Sequence, residues 1–270
     1  MPETTHIPFV QEFWGREGLG QAIQTALAAS GVPLERLTID DLAPLDQFHG
    51  GGKAATTRLA LLGGLAPGMR VLDVGGGLGG PARTLAVEHG CRVTVIDLTE
   101  SYVQAGAALT ALLGLGDRVS HRVGSALELP FEDEAFDVVW TQNSGMNIAA
   151  KAQMYAGFHR VLPPGGRLVL QEPMAGPVQP PLYPLMWADD AATNFLLTPA
   201  AMRTLIEQAG FRTRAWEDAT AETSGGTAPV RGPSIQSLVM GDKLATIAAN
   251  GRRNRDEGRI VMVQAVFDRA

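Results

Sequence analysis

The chain has a single cysteine, Cys91, in 270 residues. It can therefore form no disulfide within itself and no zinc site built on several cysteines. Positive charge is also scarce: 22 Lys and Arg against 28 Asp and Glu leave a net charge of −6, and the longest basic run is the Arg252-Arg253 pair. A nucleic-acid backbone wants a basic face, so that partner is not expected. No apolar run approaches the roughly 18 residues of a membrane helix. The opening MPETTHIPFV lacks a basic start followed by an apolar stretch. A cytoplasmic protein without a membrane partner is the expectation. No repeat, heptad or apolar stripe points to an oligomeric state, which stays open. A hydrophobic share of 45% and a charged share of 19% exclude disorder. What the chain has in quantity is glycine, at 32 residues.

From about Leu61 to Trp216, β-rich apolar runs alternate with helical patterns, the signature of an α/β parallel sheet. Strands are expected over 69–74, 92–97, 118–123, 136–140 and 167–171. Between them come helices opening at Pro81 and spanning 101–115 and 149–162. Proline suits the first helical turn because it has no amide hydrogen to satisfy. A helix over 199–209, a strand over 211–216, a loop at Gly225, Gly226 and Pro229, a helix over 235–250 and a strand over 260–267 follow. The expected fold is a Rossmann-like, seven-stranded, mostly parallel sheet with helices on both faces. Residues 1–52, with one helix at Leu19–Ser30, read as an N-terminal helical lid on a 53–270 domain. Residues 174–197 form an insertion after the fifth strand, and loops that long are usually covers or binding loops.

The segment Val71-Leu-Asp-Val-Gly-Gly-Gly-Leu-Gly-Gly80 takes a buried strand through glycines into a helix start, where backbone must come close to a ligand. Gly75, Gly77 and Gly80 also satisfy the dinucleotide pattern, so an NAD-dependent oxidoreductase is one alternative. Asp73, two residues before Gly75, sets a carboxylate where a pyrophosphate would bring negative charge; an ammonium group suits it better. Asp97 ends the second strand 20 residues after Gly77, the place from which an acidic residue accepts two ribose hydroxyls. A nucleoside joined to an amino-acid zwitterion without phosphate describes S-adenosylmethionine (SAM).

With these pieces in order, the chain resembles the class I SAM-dependent methyltransferases. The matching segments are 71–79, Asp97, Leu129 to Val139, and Arg160 to Leu168, where the family commonly has Lys at the position of Pro163. Phe13-Trp14-Gly15, Asp46 to Gly52, Ala55-Thr56 and Glu257 to Ile260 are similar to the small-molecule branch acting on sarcosine/dimethylglycine and quinone rings. The resemblance implies that Gly75, Gly77 and Gly79 pack against the methionine part and ribose. It places Asp73 at the loop or the amino group, Asp97 on the ribose hydroxyls and Leu98 against adenine. The Ser125-Ala126-Leu127 turn faces the adenine edge, with Ser125 standing where relatives carry Asp or Asn. Gln142 lies near the sulfonium. Asn147 stands where branch relatives often carry His, removing a proton acceptor.

Methyl transfer from a sulfonium is an in-line displacement on an already activated carbon, so alignment and a water-poor pocket matter most, and no metal is required. Where the acceptor must lose a proton, His49 in its glycine-flanked loop is the first candidate base and Glu172 at the end of the fifth strand the second. Tyr183, Trp187 and Phe195 would wall the acceptor, and Phe13 and Trp14 would cover a sulfonium by cation–π attraction. The partner expected is a small-molecule methyl acceptor. A SAM-binding module without chemistry is the non-enzyme alternative. His49 holding its loop, Glu172 paired to an arginine, and the aromatics as filler are the plain structural readings.

Overall fold

The structure, a computed structural model, describes residues 11–270 apart from 12, 16, 17, 32 and 225–233; the loop at Gly225, Gly226 and Pro229 falls outside the described residues. Five parallel strands, β1 (Arg70–Val74), β2 (Arg92–Asp97), β3 (Val119–Val123), β4 (Val138–Gln142) and β5 (Arg167–Ala175), are joined by β6 (Phe211–Asp218) and β7 (Ile260–Arg269). The seven lie in the order β3-β2-β1-β4-β5-β7-β6, with β7 antiparallel to both of its neighbours. The strand alternation fixes two faces. Val71, Val93, Val95, Val138, Trp140 and Val169 pack against α3 (Gly52–Gly63) and α4 (Gly80–Glu88). Leu72, Val74, Ile96, Val139, Leu168 and Leu170 pack against α6 (Lys151–Val161) and α7 (Pro199–Gln208). Burial on both faces is why these strands read as unbroken apolar runs.

Four strands depart from expectation by two residues or more, β6 and β7 each running two residues further than expected. β4 starts two residues late because Asp137 is spent as an entry clamp: its carboxylate accepts from Arg70 N at 2.8 Å and from the Arg70 guanidinium at 2.7 Å. β5 continues to Ala175, through Pro173, because β7 pairs with all nine of its residues.

Among the described residues before position 53, more is helical than expected. α1 (Leu19–Ser30) is followed by α2 (Ile39–Asp46), opened by a capping box in which Thr38 Oγ1 accepts from Asp41 N and Asp41 Oδ2 accepts from Thr38 N. Both pack with α5 (Glu100–Leu112), α8 (Ile235–Met240) and α9 (Leu244–Asp256) in a separate apolar cluster containing Ile23, Leu27, Leu42, Leu109, Val239 and Ile247. The single helix expected over 235–250 is two, divided at Gly241 by a positive φ of 52° and a short 3₁₀ turn. Among the described residues, no helix is long and apolar enough to cross a membrane.

Candidate cofactor and acceptor site

The C-terminal ends of β1, β2, β3 and β4 open into one cavity. Asp73, Gly75, Gly77, Asp97, Leu98, Ser125, Ala126, Leu127, Gln142, Asn147, His49 and Trp14 all line it.

The glycine turn owes its shape to packing. Gly75 has φ 70°, and a Cβ there would run into Ser144 Cβ; a Cβ on Gly76 would strike the Asp73 carboxylate. Backbone thus lies directly on the two carboxylates. Asp97 Oδ2 accepts from Gly77 N at 2.9 Å and Oδ1 from Thr99 N at 2.8 Å, which leaves further lone pairs toward the cavity. Asp73 is buried and its Oδ2 has no protein donor. Burial, with the Asp97 charge adding to it and Arg83 opposing, raises Asp73 to about 8. Burial also pushes Asp97 up. Gln142 Oε1 accepts from Thr56 Oγ1 and Trp140 Nε1, both at 3.1 Å, while Gln142 Nε2 is a buried donor without a partner. An unpaired acceptor and an unpaired donor in one cavity are what a zwitterion would satisfy. Ser125 Oγ accepts from Leu127 N at 3.1 Å and closes the turn below Ala126.

The turn is braced from behind. Arg83, fully buried, donates to Leu78 O at 2.7 Å, Asp46 Oδ2 at 2.8 Å, Thr110 Oγ1 at 2.9 Å and Gly106 O at 3.2 Å. Asp46, at the end of α2, also lines the cavity. Gly79 does not: it has φ 77°, and a Cβ on it would meet the His121 ring, so it is a packing glycine at the mouth of α4.

His49 lines the cavity with both ring nitrogens engaged: Nδ1 with Gly50 O at 3.2 Å, Nε2 with Gln47 Oε1 at 2.9 Å and Thr56 Oγ1 at 3.1 Å. Burial lowers it to about 4, so the ring is neutral in the physiological range. Glu172 lies one layer back instead of in the cavity. Its Oε1 accepts from Gly145 N at 2.9 Å, Ser144 N at 3.2 Å and Thr141 Oγ1 at 3.3 Å, and no arginine meets it. Burial raises its pKa while the nearby Lys151 opposes. Tyr183 and Trp187 likewise sit behind the wall. Trp187 packs with Met146 and Leu185, and Asn194 links the two aromatics, accepting from Trp187 Nε1 and donating to Tyr183 Oη, each at 3.0 Å. Phe13 stacks edge-on against Trp14 at 5.1 Å, and Trp14 against Phe48 at 5.6 Å.

Several cavity residues escape a reading of the sequence: Asp46, Phe48, Tyr102, Asn143, Ser144 and the Ile148-Ala149-Ala150 run. Asn143 carries a positive φ of 54°, with its side-chain oxygen accepting from Gln171 Nε2 at 3.2 Å. Asp46 and Phe48 fall in the matched 46–52 segment, which was the available signal.

Comparison with known proteins agrees with this geometry. Residues 72–170 match the family described as "Methyltransferase domain". The chain is 35% identical over 132 residues to a glycine/sarcosine/dimethylglycine N-methyltransferase of Actinopolyspora halophila, covering 49% of this chain and 23% of that protein. It is 43% identical over 100 residues to a probable chloroplastic tocopherol O-methyltransferase of Oryza sativa subsp. japonica, covering 37% of this chain and 28% of that protein. The chain thus spans about a quarter of the length of these two relatives. A solved geranyl diphosphate C-methyltransferase from Streptomyces coelicolor A3(2) shares the fold over 100% of both chains, with a TM-score of 0.72 at 19% identity. A methyltransferase domain is thus matched over residues 72–170, and the sheet order and the glycine turn between two strand-end carboxylates are similar to those of the class I SAM-dependent methyltransferases.

Proposed function

We propose that the protein moves the methyl group of SAM to a nitrogen, oxygen or activated carbon of a small molecule. The observation that carries this reading is the pair Asp73 and Asp97 on either side of the glycine turn, with Asp73 Oδ2 unpartnered. Asp73 would hold the ammonium group, Asp97 the ribose hydroxyls, and Leu98 with Ser125 to Leu127 the adenine. When bound, SAM supplies an electrophilic methyl carbon on a positively charged sulfur. Strand order supports the placement of the acceptor. A nucleoside over β2 and β3 leaves the methyl end over β1 and β4, beside Asn147, Trp14 and His49. Residues 1–52 act as a lid on the 53–270 domain, with Gln11 Nε2 reaching Leu98 O at 3.2 Å. His49 and Glu172 hold walls, and alignment carries the displacement. A cytoplasmic location suits the composition.

Titration calorimetry with SAM tests the assignment. Asp97→Ala removes charge-assisted bonds worth about 1.5–3 kcal/mol each and unties Gly77, so affinity falls at least about 100-fold. Unchanged affinity in that variant refutes the site.

A further inference from the structure

The acceptor half of the cavity says which chemistry it admits. Among the described residues its wall includes the apolar Trp14, Phe48, Ile148, Ala149 and Ala150, and the polar side chains beside them, Asn143, Ser144 and Asn147, carry no charge. The imidazole beside them is uncharged near neutrality. Among the described residues, the other titratable side chains that line the cavity include the acidic groups at positions 46, 73 and 97, and no lysine or arginine lines it.

The cations on the surrounding elements point elsewhere. On α3, Lys53 pairs with Asp40 and Glu88, and Arg58 pairs with Glu217 and donates to Gln264. On α4, Arg83 is consumed by Asp46 and three further acceptors. At the head of α6, Lys151 is buried, its ammonium group donating to Gly145 O and to Ile148 O. Among the described residues, none of the cations on these elements lines the cavity. A carboxylate, phosphate or sulfonate on the acceptor would lose its water there, meet no counter-charge and face acidic neighbours. From the lining and these commitments, we infer that the acceptor is a molecule without an anionic group, presenting its nucleophilic atom on an apolar body. Amino acids and phosphate esters are excluded from this site although relatives of the chain carry such names. The inference rests on the cofactor reading above, since SAM must occupy the carboxylate half.

A matched probe pair tests it without turnover. N-phenyl-1-naphthylamine and its 8-sulfonate differ in one anionic group and both brighten in apolar surroundings. They are titrated into the protein saturated with S-adenosylhomocysteine, whose binding is measured first by calorimetry. The expected result is at least tenfold tighter binding of the uncharged amine, lost in Ala149→Phe, which narrows the wall; calorimetry on that variant confirms the cofactor half intact, and Ala150→Phe replaces it if that half fails. Sulfonate binding as tight as the amine, no amine binding, or amine binding indifferent to the wall variants overturns the inference while leaving the cofactor reading standing. Failure to take up S-adenosylhomocysteine at all overturns both.

Discussion

Replacing Arg83 by Met probes how the glycine turn is held. The guanidinium is fully buried and ends in four hydrogen bonds, one of them to a buried carboxylate. Removing one member of a buried ion pair strands the other, at about 3–5 kcal/mol, whereas replacing both with apolar groups of similar volume is often close to neutral. Arg83→Met is therefore expected to cost about 4 kcal/mol, a large part of the roughly 5–15 kcal/mol that holds a domain folded. Arg83→Met combined with Asp46→Leu is expected to cost less than half of that. Urea unfolding followed by circular dichroism measures both, with the midpoint falling at constant slope. Burial already raises Asp46, and two of the influences that oppose the rise come from Arg83. In the single variant the Asp46 pKa climbs further. The folded chain then binds a proton that the unfolded chain does not, so the deficit shrinks as pH falls. A single-variant loss below about 1 kcal/mol, or a double-variant loss equal to the sum of the two singles, would refute the coupling.

The remaining expectations concern the cavity. Asp73 titrates at about 8 in the folded chain against an ordinary value near 4, so the native state holds a proton that the unfolded state gives up. Stability of the ligand-free protein should fall as pH rises from about 4 to 8, and Asp73→Asn should flatten that slope; parallel pH profiles of the urea midpoint would contradict it. Gly75→Ala meets both a positive φ and Ser144, whereas Gly114, at φ 66°, has open space around it. By thermal unfolding, the former should lose more than the roughly 1–2 kcal/mol of backbone cost expected of Gly114→Ala, and only the former should abolish SAM binding; equal losses would speak against the packing argument. His49, lowered to about 4, is neutral across pH 6–8, so the turnover profile should show no inflection from it there. His49→Gln should hold SAM affinity and keep turnover within about tenfold, and a loss beyond about 100-fold would make the imidazole a proton acceptor in the reaction.

How much could be read without coordinates followed from where the physics is local. β2 and α1 match their expected bounds because apolar β-branched runs and a capless Ala-rich stretch between glycines leave few options. β4 was displaced since Asp137 is spoken for by Arg70, a contact 67 residues away in sequence. α2 was hidden by Pro44 inside it, although Thr38 and Asp41 spell a capping box. That the glycine turn, Asp97 and the 125–127 turn meet in one cavity was legible because strand ends and glycines fix it by topology. The acceptor half was not: whether Trp187 or Tyr183 reaches the cavity depends on which way a long connection folds, and whether Glu172 does depends on the 144–145 turn that covers it. Here they close a layer behind Met146 and the 144–145 amides. Nor can any pattern of residues distinguish Arg83, wholly enclosed, from an arginine on a solvated helix face.

The two halves of the cavity hang on different parts of the chain. The turn after β1 and the strand ends at Asp97 and Ser125 belong to the sheet, whereas Ile148 to Ala150 belong to a short connection and Trp14 and Phe48 to the segment before it. Side chains in the second set can be exchanged without touching the carboxylates or the glycines of the first. Under the proposed function, inheritance can therefore keep one reagent fixed and vary its target, and a laboratory seeking new selectivity has these five positions to randomise before it endangers the donor.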